Sequence, residues 1–272
     1  MNPRVDAIAH LLEQVRERQP VVHAMTNWVT GSDVANVLHT MGARPILAVA
    51  LEEVTDITSN ADALVLNLGT PTPQRVEAML KAGHRANTLG RPVIFDPVGV
   101  GASRFRIDAT RHILSELRLT IIKGNRAEIG MLTGTGGQLR GVDAATGPED
   151  LRIAGEVLSR QTKAVVIISG QHDLVVDGEK AVVVENGHPL MGQVTGTGCM
   201  LSALIAAFAA VEDKPMVAAI GAVACFGLAG ERAGHRARGP GTFKAELLDS
   251  LFALTPDDVR SGVRINPFDS PV

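Results

Sequence analysis

Pro92-Val93-Ile94-Phe95-Asp96-Pro97-Val98-Gly99 is a short apolar run that stops on an acid, a proline and a glycine. A run of this length, without polar alternation and bounded by turn residues, reads as a strand covered on both faces. The same form recurs at residues 21–25, 45–49, 63–68, 120–123 and 164–169. Helical patterns lie between these runs. Val5, Ile8, Leu12 and Val15 make one apolar stripe, and Val34, Leu38 and Met41 make another, with Ser32 expected as its cap. Thr72-Pro73 opens a third helix, with Val76, Met79 and Leu80 on the inner face. Strands alternating with helices predict an α/β three-layer sandwich, a mostly parallel central sheet with helices on both faces. Residues 174–176 and 181–185 flank Asp177-Gly178 and are expected to form a hairpin at a sheet edge. No dividing linker and no internal repeat occurs, so residues 1–272 are read as one domain.

Composition narrows the function classes. Hydrophobic residues make up 45% of the 272 and charged residues 20%, enough apolar material for a large core. The net charge is -3 and no basic cluster forms a stripe, which argues against nucleic acid as a partner. The two cysteines, Cys199 and Cys225, sit in apolar helical patterns, as suits a reducing compartment better than a disulfide framework. The amino-terminal residues lack the apolar core of a signal peptide. Residues 199–211 and 216–230 are the most apolar stretches, each shorter than the roughly 18 residues of a membrane span. They are expected as buried helices of a soluble, cytoplasmic protein with no membrane partner.

The chemistry concentrates at the ends of strands. Gly196-Thr197-Gly198-Cys199 runs straight into an apolar helix. Two glycines let the backbone close around a ligand, and the unpaired N–H groups of the first helical turn favour an anion such as a transferring phosphoryl group. The alternative is an ordinary glycine-rich turn. Cys199 lies on that first turn, where a thiol is expected to have a lowered pKa suited to a base or nucleophile. It could equally be a small packing residue beneath a ligand. Asp96 and Glu128 follow strand ends and face the crevice where open α/β sheets bind ligands. Together they could hold Mg²⁺ through waters. Against this, Asn125-x-x-Glu128 has capping-box spacing, and Asp96 precedes a proline as turn residues do. Lys123 and Ser169 end two further strands, one offering an ammonium to phosphates and the other a hydroxyl. Asn27 and the run from Asn67 to Thr70 are polar strand ends near the same crevice. The Gly- and Thr-rich residues 134–148 read as an exposed loop, because no Gly-Lys-Ser/Thr ending makes them a P-loop.

Four runs in fixed order carry a family resemblance: HAMTNWVTGSDVANVLHTMGARPIL (23–47), FDPVGVGASRFR (95–106), IIKGNRAEIGMLTG (121–134) and VTGTGCMLSALIAAF (194–208). Together the chain resembles hydroxyethylthiazole kinases of thiamin salvage, which are similar in fold to ribokinases. The resemblance implies phosphorylation of the primary alcohol of 4-methyl-5-(2-hydroxyethyl)thiazole by ATP with Mg²⁺. On matching positions it implies ATP contacts at Lys123 and Ser169, and thiazole contacts at Leu47 and the Gly196 backbone. It further implies pocket roles for Asn27 and Gly69, Mg²⁺ and phosphate organisation by Asp96 and Glu128, and a reaction centre at the Gly196–Gly198 turn with Cys199. Ribokinases typically carry an aspartate where this family has the cysteine. The family commonly has methionine where this chain has Leu47, a swap that keeps volume and apolarity. With no tyrosine and 3% aromatic residues, ring recognition must rest on aliphatic packing and a few polar atoms. A homotrimer with sites at subunit boundaries is also implied, and the apolar residues 41–50 are a candidate surface for it.

Three rival functions remain at this point: a kinase for another vitamin-precursor alcohol such as a hydroxymethylpyrimidine or pyridoxal, a nucleotide-dependent dehydratase acting on hydrated nicotinamide cofactors, and a non-catalytic scaffold. Residues 26–36 favour the thiazole. Cys199 speaks against the dehydratase, whose pattern carries aspartate.

Overall fold

Helix α1 (Val5–Arg18) buries Ile8, Leu12 and Val15 one turn apart, as the stripe in the sequence predicts. Strand β1 (Val21–Met25) follows, then α2 (Gly31–Met41), β2 (Arg44–Ile46), α3 (Val54–Ser59), β3 (Ala63–Asn67) and α4 (Pro73–Thr88). Next come β4 (Val93–Asp96), α5 (Arg104–Glu116), β5 (Ile121–Asn125) and α6 (Arg126–Thr133). A short antiparallel pair, β6 (Gln138–Arg140) and β7 (Asp143–Thr146), precedes α7 (Leu151–Thr162), β8 (Val165–Ser169), β9 (Asp173–Asp177) and β10 (Lys180–Val184). Helices α8 (Thr197–Ala209), α9 (Pro215–Arg236), α10 (Pro240–Phe252) and α11 (Pro256–Gly262) lead to β11 (Ile265–Pro267). This computed structural model describes residues 5–136, 138–140, 143–147 and 150–268.

Nine strands form one sheet in the order β11-β10-β9-β8-β5-β4-β3-β1-β2. The pairs from β2 to β8 are parallel, and those from β8 to β11 are antiparallel. Successive strand residues alternate between two cores. Val22, Ala24, Val65, Ile94, Ile121 and Ile167 face α1, α2, α8, α9 and α10. Met25, Leu64, Leu66, Phe95, Ile122 and Ile168 face the layer of α3 to α7. The pleat therefore explains the near-continuous apolar runs: both faces of each strand are covered. Helix α8 is buried all round from Met200 to Ala209, as a helix without a polar face must be. Each leucine, isoleucine, methionine or phenylalanine side chain buried there contributes about 1.5–3 kcal/mol. The mostly parallel three-layer sandwich expected from the sequence is the observed fold.

Several local expectations need correction. Strand β2 covers only residues 44–46, and its side chains are partly exposed because it lies at the sheet edge. Ser32 does not cap α2. The helix begins at Gly31 behind Thr30, which makes no side-chain cap bond. The amides of Val29 and Thr30 donate instead to Asn27 Oδ1, at 3.0 and 3.1 Å. The β9–β10 hairpin forms, but β11 pairs with β10 and takes the edge position, a long-range pairing that no local pattern announces. Within residues 134–148 the structure places β6 and β7 where only a loop was expected, while Gly137, Gly141, Val142 and Pro148 fall outside the described residues. Helix α9 extends to 22 residues, longer than the apolar run alone, so it is long and apolar enough to cross a membrane. Its most apolar window is 83% buried inside the fold, as a core helix is. Helix α4 opens at Thr72-Pro73 as expected, and the Thr72 side chain accepts from Arg75 N–H.

Candidate active site

The parallel register brings the polar strand ends into line. Asn67 of β3 is paired with Asp96 of β4, and Asn125 of β5 with Ser169 of β8. Above them, α8 starts at Gly196, whose φ of 99° lies in the left-handed region that glycine reaches without strain. No side chain caps this helix, so the N–H groups of its first turn stay available. A side chain at Gly196 would meet Thr30 Cγ2 at 2.9 Å, so the turn sits directly against the loop after β1.

Asp96 is wholly buried. Its Oδ2 accepts from Asn67 Nδ2 and from Ser202 Oγ, both at 2.8 Å. Its Oδ1 has no hydrogen-bond partner and lies 3.8 Å from Lys123 Nζ. Lys123 is only 5% exposed. Burial by itself would lower its pKa, but Asp96, Glu128, Cys199 and Asp173 all face it and the net shift is upward. Burial pushes Asp96 upward too, opposed by Lys123, Ser202 and Asn67. The two partners thus shift in the same direction, and Lys123 stays charged because the Asp96 and Glu128 carboxyls face its ammonium. A Cβ at Gly198 would lie 2.9 Å from Lys123 Nζ. The ammonium therefore sits directly beneath the first turn of α8, where both would act on the same anion.

Glu128 forms the full capping box with Asn125. Its Oε2 accepts from Asn125 N–H and its Oε1 from Gly99 N–H, each at 2.8 Å. Burial and the nearby Asp96 raise its pKa to about 7, against Lys123 and the two backbone donors. The capping reading of this residue is thus present in the structure, and its carboxylate also joins the electrostatic field of Asp96 and Lys123.

Cys199 departs from expectation. Its thiol is pushed up, chiefly by burial and then by the Asp96 carboxylate, with Lys123, Thr30 and Asn67 pulling the other way. The partial positive charge of the helix terminus does not offset the loss of water and a buried acid nearby. Its Sγ receives Asn27 Nδ2 and Asn67 Nδ2, both at 3.3 Å. Gly69 makes this possible, since a Cβ there would fall 2.5 Å from Asn27 Nδ2. Arg106 clamps the same segment by donating to the carbonyls of Leu68 and Gly69 and, at 2.6 Å, of Val98. The second cysteine, Cys225, is fully buried in the core and has its pKa raised to about 12 by burial.

A cavity of about 610 Å³ opens beside this cluster, lined among others by Ser169, Asp173, His188, Thr197, Gly198 and Leu201. The Ser169 hydroxyl bonds to Gly124 O at 3.3 Å, and His188 stacks on Phe243 with centroids 5.9 Å apart. Asp173 accepts from Gly170 N–H at 3.0 Å, and burial raises it to about 6. Of the residues singled out in the sequence, the fold gathers Asn27, Asp96, Lys123, Glu128 and Cys199 around Gly69 and Gly198. Ser169 stands on the cavity wall. Leu47 packs with its Cδ2 3.6 Å from where a Cβ of Gly31 would be, next to Thr30, which faces Gly196.

Two participants escaped sequence reasoning, and a third was read without its role. Ser202 is the lone hydroxyl within the apolar part of α8, one turn after Cys199, and that polarity was its signal. Asn67 was visible only as a polar strand end. Asp173 gave no signal, because its position depends on the turn between β8 and β9. Among the described residues no cluster of three or more His, Cys, Asp or Glu is arranged to hold a metal. The unpartnered, buried Asp96 Oδ1 is nevertheless a site for one cation contact or one water, which fits a Mg²⁺ ion that keeps most of its own waters.

A family model described as the hydroxyethylthiazole kinase family matches residues 12–257. The chain is 46% identical over 257 residues to a hydroxyethylthiazole kinase of Thermoanaerobacter pseudethanolicus, covering 94% of this chain and 97% of that one. It is also 46% identical over 263 residues to that of Desulforudis audaxviator, covering 97% and 96%. The hydroxyethylthiazole kinase structure from Pyrococcus horikoshii superposes with a TM-score of 0.88 at 37% identity, covering 96% and 99%. A pyridoxal kinase from Staphylococcus aureus in complex with AMP-PCP and pyridoxal shares the fold at a TM-score of 0.54 and 18% identity, covering 77% and 86%.

Proposed function

The chain belongs to the hydroxyethylthiazole kinase family, and on that premise we propose that it transfers the γ-phosphoryl group of ATP to the primary alcohol of 4-methyl-5-(2-hydroxyethyl)thiazole. The products are the phosphate monoester and ADP. The observation that carries this reading is Lys123 held beneath the uncapped first turn of α8, with a buried acid pair beside it. Phosphoryl transfer asks mainly for positioning and for stabilisation of charge on the transferred group. The N–H groups at Gly198 and Cys199 and the Lys123 ammonium face that charge together. In a buried setting they need no reorganisation as it develops.

Each remaining residue takes a stated part. Asp96 and Glu128 would hold Mg²⁺, which supplies charge neutralisation at the phosphates. Ser169, on the cavity wall, would contact ATP. Gly196 and Leu47 would contact the thiazole, with Asn27 and Gly69 shaping the pocket floor. Cys199 sits beside the attacking hydroxyl in a modest role, since its raised pKa keeps it a thiol near neutral pH. We assign residues 1–272 to one catalytic domain, supported by the single large sheet running from β1 to β11. A cytoplasmic homotrimer with sites at subunit boundaries rests on the family. Trp28 and Val29, 70% and 67% exposed beside the site, support a boundary there more than residues 41–50 do. Light scattering at micromolar concentration that gives only monomer would overturn the trimer.

The deciding experiment is ADP release from Mg-ATP with the thiazole alcohol, run beside a hydroxymethylpyrimidine, pyridoxal and a hydrated nicotinamide cofactor. Turnover confined to the thiazole is expected. Turnover only with another acceptor would keep the phosphate site and overturn the substrate. Folded protein that binds ATP but turns over none of them would overturn the reaction.

A further inference from the structure

We propose that Asn67 is a positioning residue that acts on the reaction through Cys199, locking its sulfur and the Asp96 carboxylate in one fixed arrangement. The inference rests on the phosphotransfer reading above and deepens it. Its basis is the complete saturation of two side-chain amides. Gly69 N–H donates to Asn67 Oδ1 at 2.9 Å, and a backbone N–H can only donate, so the oxygen of Asn67 must face Gly69. Its nitrogen therefore faces the other way, with one hydrogen to Asp96 Oδ2 at 2.8 Å and one to Cys199 Sγ at 3.3 Å.

Asn27 is fixed by the same logic. Its Oδ1 accepts the backbone donors of Val29 and Thr30, so its Nδ2 must face Asn67 Oδ1, at 3.0 Å, and Cys199 Sγ, at 3.3 Å. Neither amide can flip without leaving a buried donor against a donor. Two N–H groups thus converge on one sulfur, which is held as an acceptor. The single S–H hydrogen, with nothing to donate to on the amide side, is left to point away from both asparagines. Asn67 is the only one of the two that also grips the buried acid pair, so it ties the sulfur to the charge cluster.

The test combines kinetics with a measurement on the protein alone. Asn67→Leu keeps the branched heavy-atom skeleton and removes every polar atom. It is expected to lower kcat about five- to tenfold with both KM values within about twofold, the signature of a lost transition-state interaction. In a Cys199→Ala background, itself about tenfold slower, the same substitution is expected to cost only about two- to threefold more, because its hold on Asp96 alone is left. Equal losses in both backgrounds, or a loss confined to KM, would overturn the proposal. Separately, the rate of Cys199 alkylation by iodoacetamide at pH 8 reads the sulfur directly, since Cys225 is wholly buried. Asn67→Asp replaces the donor with an acceptor and is expected to slow alkylation about tenfold. An unchanged rate in a folded variant would sink the proposal. This second readout needs no alcohol substrate, so a wild-type protein silent toward the thiazole would count against the proposed function alone.

Discussion

Two regions meet at the first turn of α8, and they handle polarity in opposite ways. On one side, Asp96, Lys123, Glu128 and the two asparagines are packed out of water, and almost every polar atom is spoken for by a neighbour. On the other, Ser169, Asp173 and His188 line an open cavity of about 610 Å³, the one proposed above to take ATP. Charges in the first region act at full strength because nothing screens them, and they are costly to disturb. Groups in the second exchange water for ligand, so each contributes a modest difference. The fold thus separates a buried, electrostatic half of the site from an open half on the cavity wall.

Substitutions should divide along that line. The largest effect is expected at Asp96. Asp96→Ala leaves the Lys123 ammonium buried without its nearest carboxylate and should cost about 3–5 kcal/mol in urea unfolding. The milder Asp96→Asn should still lower kcat by about a thousandfold, by removing the charge that faces Lys123 and that would face Mg²⁺. A variant that keeps both stability and turnover would break the contrast. Gly198→Ala comes next. Its Cβ would press on Lys123 Nζ at 2.9 Å, and moving the ammonium should lower kcat/KM for ATP about ten- to a hundredfold. On the cavity side, Ser169→Ala should raise the KM for ATP about three- to tenfold with kcat within about twofold, the loss of one ordinary hydrogen bond. A kcat effect as large as that of Gly198→Ala would erase the distinction between the two halves.

The smallest effect concerns Asp173. Burial raises its folded pKa from 3.8 to about 6, so the folded state holds a proton that the unfolded chain gives up. The stabilisation is full below about pH 4 and is lost as pH rises through about 6. The side chain is partly open to the cavity, so solvent should hold the change to about 1 kcal/mol. Asp173→Asn should flatten the stability profile between pH 4 and 6 without changing its shape below pH 4. Unfolding midpoints across that range check this, and an identical profile in the variant would remove Asp173 from the account.

Much of the site was legible because strand ends and glycine turns are local signals. Asp96, Lys123 and Ser169 each close an apolar run, and Gly196 to Cys199 opens an apolar helix. Ser202 and Asn67 were harder to see, because their roles depend on partners 106 and 29 residues away. The expected drop in the Cys199 pKa failed for the same reason. The helix terminus is a local feature and was read correctly, but burial and the Asp96 carboxylate come from elsewhere in the chain and prevail.

By itself the sequence determined the alternation of strands and helices, the position of the glycine turn and the family, since all of these are written in periodicity and contiguous motifs. The tertiary structure alone decided that β11 covers the hairpin edge, that Lys123 lies beneath Gly198, and that two asparagines converge on one sulfur. Those facts depend on strand register and on which groups lose water together, and both are set by segments far apart in the chain.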